Sequence, residues 1–298
     1  MTDYADETAN PSGPDGGEHR WVLIDDPIPG VRRITFNRAD KRNSLIHPLR
    51  GAILQALRDA DDDDDVKVSI IRGDGPSFSA GYDLAGGNEG YELPFFTAEG
   101  DGQWPRHVTE GWMSIWDLAK PVIAQVHGYC LAGGSELATC CDLVYMAEDA
   151  QMGYPAVRFG VPDNHFHAWF VGMRKAMEMM LTGDSITGIE AVEYGWANKA
   201  FPAEELSERV LEVAARIAQT PTDLVQLNKR VVHRQMEIMG LRTGIRQGTE
   251  LCALGTHTES LRNFVATVRE KGLTSTLTER DRPYDDYRTA AERPRTAE

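Results

Sequence analysis

The apolar positions along this chain alternate between two periods. Short apolar runs at Trp21 to Ile24, Val31 to Phe36, Val68 to Arg72, Val122 to Val126 and Leu143 to Met146 predict strands. Between the second and third, Leu49, Ile53 and Leu57 recur every four residues and predict a helix ending before the run Asp61 to Asp65. Another helix is predicted to open at Gly134. The order strand, turn, helix, strand therefore recurs, which predicts an α/β core with crossover connections. Beyond Trp169 the pattern is helical: Val171 to Leu181, Gly188 to Tyr194, Glu208 to Gln219, Asp223 to Met239 and Leu241 to about Lys271. The polar end from Thr274 is expected to fray or to wrap a neighbour.

Residues 1–19 are rich in Pro, Gly, Asp and Glu and poor in apolar side chains, so they are expected to be a disordered tail. The expected division is this tail, an α/β core over 20–200 and a C-terminal helical module over 201–298. With 298 residues, 41% of them hydrophobic and 26% charged, the chain has an ordinary globular composition. No apolar run approaches the roughly 20 residues of a membrane-spanning helix, and the N-terminus lacks a secretory pattern. Four cysteines without metal spacing or disulfide-scaffold density fit a reducing cytoplasm. A net charge of −15 opposes general nucleic-acid binding, so an anionic small ligand needs a local basic patch. The Asp61 to Asp65 run lacks the alternating spacing, Gly and Glu of a calcium loop and reads as a solvated connection.

Two glycine turns carry the chemistry. Ala132-Gly133-Gly134-Ser135-Glu136 follows the strand at Val122 to Val126 and puts a carboxylate in the first turn of a helix, beside the positive end of its dipole. The same pattern describes an ordinary strand-to-helix connection. A second turn upstream, Ser79-Ala80-Gly81-Tyr82-Asp83-Leu84, tips the reading, because two such turns can offer converging N–H donors to one developing oxyanion.

With Asn37-Arg38-Ala39-Asp40-Lys41-Arg42-Asn43-Ser44-Leu45, Phe78 to Leu84, Ala132 to Ala138 followed by Cys141-Asp142, and Met180-Leu-Thr-Gly-Asp followed by Ala191 and Gly195, the chain resembles the enoyl-CoA hydratase/isomerase (crotonase) family over about residues 20–272. The resemblance implies a spiral of ββα units and C-terminal helices used for trimerisation, with trimers often paired into hexamers. It implies an acyl-CoA substrate, coenzyme A being part of the thioester rather than a bound cofactor. It also implies that the thioester oxygen accepts from the N–H groups of Tyr82 and Gly133. That favours an enolate over the neutral ester and lets one family hydrate, isomerise, decarboxylate or hydrolyse acyl-CoA esters.

By the same resemblance Glu136 is the first catalytic carboxylate, a general acid or base, the alternative being a charge at a helix N-terminus without chemistry. Where the hydratases carry a second Glu, in Gln-Pro-Glu, this chain has Tyr154-Pro155-Ala156. The two-carboxylate hydration mechanism is thereby put in question. Asp163 is the candidate replacement, as dienoyl-CoA isomerases and aryl-CoA dehalogenases carry an aspartate near this place; the alternative is a helix cap. His165 and His167 are secondary candidates. Coenzyme A is expected near Arg38, Lys41 and Arg42 at its nucleotide end and near Ala80, Asp83 and Leu84 along the pantetheine, with Arg269 and Lys271 of the C-terminal module as further contributors. The aromatic residues of 85–116, among them Tyr91, Phe95, Phe96, Trp104, Trp112 and Trp116, either enclose the acyl group, pack in the core or serve a trimer contact. No metal site is expected. The expected activity is enolate-stabilising isomerase or atypical hydratase chemistry; a noncatalytic acyl-CoA binder and a hydrolase or ring-cleaving enzyme are the alternatives.

Overall fold

The computed structural model describes residues 21–86, 88, 91–162 and 166–285. Its centre is a six-stranded sheet of β1 (Val22–Ile28), β2 (Val31–Phe36), β3 (Val68–Gly73), β4 (Val122–Val126), β6 (Leu143–Ala147) and β9 (Lys199–Phe201), in that spatial order. All pairs are parallel except β1 with β2. A smaller sheet joins β5 (Tyr129–Leu131), β7 (Gln151–Gly153) and β8 (Ile186–Thr187). Strand β1 runs four residues beyond the apolar signal. Asp25 and Asp26 extend it by pairing with Arg33 and Arg32 on β2, and Pro27 is tolerated because β1 is an edge strand whose register shifts between Asp25 and Ile28.

Helix α1 (His47–Asp62) runs into the aspartate run and buries Leu49, Ile53, Leu54 and Leu57 against β1 and β2. Helix α2 (Gln103–Asp117) emerges from the aromatic segment, where its Trp112, Met113 and Ile115 join the core. Helix α3 (Gly133–Thr139) is wholly buried. Then follow α4 (His167–Phe170), α5 (Gly172–Thr182) and α6 (Gly188–Glu193), which a Thr187–Glu190 capping box opens. Helix α7 (Leu206–Ala218) lies on β2, β3, β4 and β6, so its Leu206, Val210 and Ala214 share the core of the strands although they fall within the expected C-terminal module. Strand β3 is covered in this way and is buried at every position but Arg72.

The remaining helices are α8 (Thr222–Ile238), α9 (Leu241–Gly255), α10 (Glu259–Lys271) and α11 (Leu273–Asp281). The helical stretch expected over 241–271 consists of two helices, the second starting where Thr258 caps the Leu261 N–H. Of the end expected to fray or to wrap a neighbour, residues 274–285 are described and dock on the chain itself. Asp281, 1% exposed, lies 3.3 Å from the Arg158 guanidinium and 2.7 Å from Arg280, while Arg158 also meets Asp184 at 2.8 Å. The tail expected over 1–19 lies outside the described residues. No helix among the described residues is long and apolar enough to cross a membrane.

Removing Asp281 takes a buried counter-charge from two guanidinium groups at once, Arg280 and Arg158, of which Arg158 keeps Asp184. Asp281→Ala is therefore expected to cost about 3 kcal/mol and to speed amide hydrogen exchange in 273–284 while β3 and β4 stay protected. Unchanged exchange in α11 would show that the cluster does not hold it.

Candidate active site

The segment that links β2 to α1 is fastened to the first glycine turn. Asn43 is fully buried at φ 51°, a left-handed conformation Asn tolerates, and its amide donates to the carbonyls of Asp74 and Ser77 at 2.9 and 2.8 Å. Leu45 N–H donates to Gly81 O at 2.8 Å and Asp83 N–H to Leu45 O at 3.1 Å. On its other side the turn joins β5: Ser79 N–H donates to Tyr129 O at 2.9 Å and Leu131 N–H to Ser79 O at 3.0 Å.

The two glycine turns pack backbone against backbone. A Cβ on Gly81, whose φ is +92°, would lie 2.7 Å from Leu131 O and 3.5 Å from Gly133 N, and one on Gly134 would lie 2.7 Å from Ser79 O. No side chain fits at either place. Ala132 enters α3 at φ 47°, ψ −120°, a conformation that costs a non-glycine residue roughly 1–3 kcal/mol and that its surroundings must enforce. Ala132 N–H donates to Gly153 O at 2.8 Å, which holds it. Neither the Tyr82 nor the Gly133 N–H donates to any acceptor among the described residues.

Glu136 is 1% exposed in the first turn of α3. The Tyr82 hydroxyl donates to its Oε2 at 2.5 Å and itself accepts from the Trp112 indole N–H at 3.0 Å. The Tyr82 ring lies against Gly133 so closely that a Cβ there would stand 2.6 Å from two ring atoms. Beneath these rings is Arg50, fully buried, its guanidinium carbon 5.8, 5.5 and 5.1 Å from the ring centres of Tyr82, Trp104 and Trp112. Arg50 donates to His107 Nε2 at 2.8 Å, and His107 Nδ1 meets Phe95 O at the same distance. Burial, reinforced by the Arg50 charge, holds the His107 pKa down at about 4, so the ring is neutral and Nδ1 carries the proton given to Phe95 O. Burial first and the Glu136 charge second push the Tyr82 phenol well above its usual range, against the opposing pull of Arg50. Tyr82 is thus a fixed donor.

The expected residues distribute unevenly. Tyr82, Gly133 and Glu136 come together. Asp163 and His165 lie outside the described residues. His167 is buried between the rings of Tyr154 and Trp196 at 5.9 and 4.7 Å. Ala156 sits in a 3-10 turn, Pro155–Phe159, in a small apolar cluster against which Ala132 packs. Arg38 pairs at 2.7 Å with Asp83, another expected contact, which leaves Lys41 and Arg42 as the exposed cations of that loop, Arg42 over the Tyr129 ring at 5.5 Å. Ala80 is partly buried and Leu84 exposed. Lys271 pairs with Glu279 at 2.9 Å. Among the aromatic residues, Trp104 and Trp112 adjoin Tyr82, whereas Trp116 stacks on His233 at 4.1 Å and Phe96 is 90% exposed. Sequence reasoning missed Arg50. Its signal was a charge inside the otherwise apolar stripe 46, 49, 50, 53, 54, 57 of α1. No group of three or more His, Cys, Asp or Glu side chains among the described residues could hold a metal.

A sequence profile described as enoyl-CoA hydratase/isomerase matches residues 28–286. The enoyl-CoA hydratase domain-containing protein 3, mitochondrial, of Danio rerio is 33% identical over 228 residues, covering 74% of this chain and 75% of its own. The 2,3-dehydroadipyl-CoA hydratase of Escherichia coli is 30% identical over 245 residues, covering 81% and 92%. The crystal structure of an enoyl-CoA hydratase from Mycobacterium smegmatis superposes with a TM-score of 0.81 at 31% identity, covering 92% of this chain and 98% of that one. Paired glycine turns, a buried glutamate on the second of them, and a match over nearly the whole chain together make this protein a member of the enoyl-CoA hydratase/isomerase family.

Proposed function

We propose that this enzyme binds an acyl-CoA thioester with its carbonyl oxygen on the Tyr82 and Gly133 N–H groups and uses Glu136 as the principal acid/base at the adjacent carbon. The observation that carries the reading is the direct packing of the two glycine turns beside a buried Glu136. Preformed N–H donors favour the enolate, where charge has moved onto oxygen, over the neutral ester, and strain at Ala132 keeps one of them in place. Glu136 removes a C2 proton, the electron pair moves toward the carbonyl oxygen, and the same carboxylate returns the proton at C4. That is isomerisation of a 3-enoyl to a 2-enoyl ester and needs one base. Hydration needs a water held and activated by two groups, and Ala156 at the hydratases' second carboxylate position offers none. Lys41 and Arg42 supply exposed positive charge for the coenzyme A phosphates on an otherwise acidic protein.

The chain's assembly belongs to the same proposal. Leu224, Leu227, Val231 and Ile238, each at least half exposed, form one stripe along α8 at helical spacing. A second and third copy of the chain cover this stripe in a homotrimer, and two trimers can pair into a hexamer.

Three measurements test this reading. With trans-3-hexenoyl-CoA and crotonyl-CoA as probes, conversion to the conjugated ester should exceed hydration at least tenfold, and the reverse ranking would contradict single-base chemistry. Glu136→Gln should lower isomerase turnover by about 10²–10⁴-fold while acyl-CoA affinity by calorimetry changes little; full activity would remove Glu136 from the mechanism. Sedimentation should give a trimer or its multiple, and Leu227→Lys with Val231→Lys should dissociate it; an unchanged oligomer would place the interface elsewhere.

A further inference from the structure

In the proposed mechanism Tyr82 contributes only its backbone, yet its side chain is built into the site more firmly than any other. The hydroxyl donates to Glu136 at 2.5 Å, accepts from Trp112 at 3.0 Å, and the ring is fixed between Gly133, Trp104 and the Arg50 guanidinium. A carboxylate that is 1% exposed would ordinarily take up a proton and cease to be a base. Here three features oppose that. The phenol gives a charge-assisted hydrogen bond to the ionised form, the indole N–H polarises the phenol toward donation, and the buried cation behind the ring offsets the negative charge.

We propose that the Tyr82 side chain is the positioning group of this active site: its hydroxyl holds Glu136 ionised and aimed at the acyl C2, the orienting task that a second carboxylate's water network serves elsewhere in the family. The inference rests on the proposed enolate chemistry. During the step Tyr82 keeps its own proton. The C2–H bond breaks, its electron pair forms the C1–C2 double bond, the carbonyl pair moves to oxygen, and Glu136 carries the proton until it returns to carbon.

Among the described residues, Tyr82 from the first turn, Arg50 from α1 and Cys140 at the end of α3 face Glu136; Trp112 from α2 lies behind Tyr82, and behind Arg50 lie the neutral His107 and His47, whose pKa burial first and the Arg50 charge second draw down. Cys140 is driven far up by burial first and then by Glu136, so it stays a neutral thiol. Burial first and the Arg50 charge second keep the imidazole of His107 neutral down to about pH 4. Both histidines are unchanged in Tyr82→Phe, so the displacement of the acid limb between variant and wild type, rather than its position, reads the carboxylate that the phenol touches.

The test is exchange of the C2 protons of butyryl-CoA in D₂O, followed by mass spectrometry from pH 4.5 to 9, a range set by about the His107 limit and phenol ionisation. Tyr82→Phe should leave KM within about twofold, lower the exchange rate at neutral pH about tenfold and move the acid limb up by about one pH unit, since a lost bond to a charged group is worth about that much. Trp112→Phe, which keeps the phenol but weakens it as a donor, should move the limb the same way by less. If Tyr82→Phe does not fold, Trp112→Phe decides alone. An unmoved limb while the wild type exchanges overturns this inference and leaves the enolate mechanism standing. No exchange by the wild type overturns both.

Discussion

Everything at the centre of this protein follows from two backbone turns that must touch. Gly81 faces Leu131 O and Gly134 faces Ser79 O at distances no Cβ could share. That contact fixes where β5 runs, why Ala132 takes a strained conformation, and why α3 starts at Gly133. It also leaves the Tyr82 and Gly133 N–H groups without an acceptor among the described residues, a costly arrangement for backbone donors kept from water. The polar loop after β2 exists to brace the first turn, through the buried Asn43 and the Leu45 ladder.

Around this backbone contact the side chains build a second layer of constraint. Tyr82 occupies the space that Gly133 leaves open, and only from there can its hydroxyl reach Glu136. Arg50 then offsets the negative charge of Glu136 from behind a ring, while three aromatic faces take up the desolvated guanidinium. Neutral His107 completes the arrangement by accepting from Arg50. The guanidinium is thus boxed in by rings, and the buried Glu136 lies on the far side of one of them, in the first turn of α3.

The turns were legible in the sequence because special backbone geometry demands particular residues: Gly at 81, 133 and 134, Asn at 43. Strands β2, β3, β4 and β6 were legible as apolar runs. Strands β5, β7, β8 and β9 were not, since two or three residues carry no period. Helix α2 was hidden in an aromatic segment that reads equally as pocket or core, and α11 in a polar stretch whose docking depends on Arg158, more than a hundred residues away. The same limit applies in the site. Glu136 was found by its place in a turn, but its contact with Tyr82 joins residues 54 apart, and Arg50 showed only as a misplaced charge on an apolar face.

The central claim is that both turn N–H groups grip one thioester oxygen while Glu136 faces the carbon beside it. A crystal structure with bound butyryl-CoA tests it directly. The account predicts the thioester oxygen about 2.7–3.1 Å from both Tyr82 N and Gly133 N, with C2 next to Glu136 and the Tyr82 to Glu136 bond intact. A thioester oxygen bound by neither N–H, or a Glu136 turned away from C2, would contradict it.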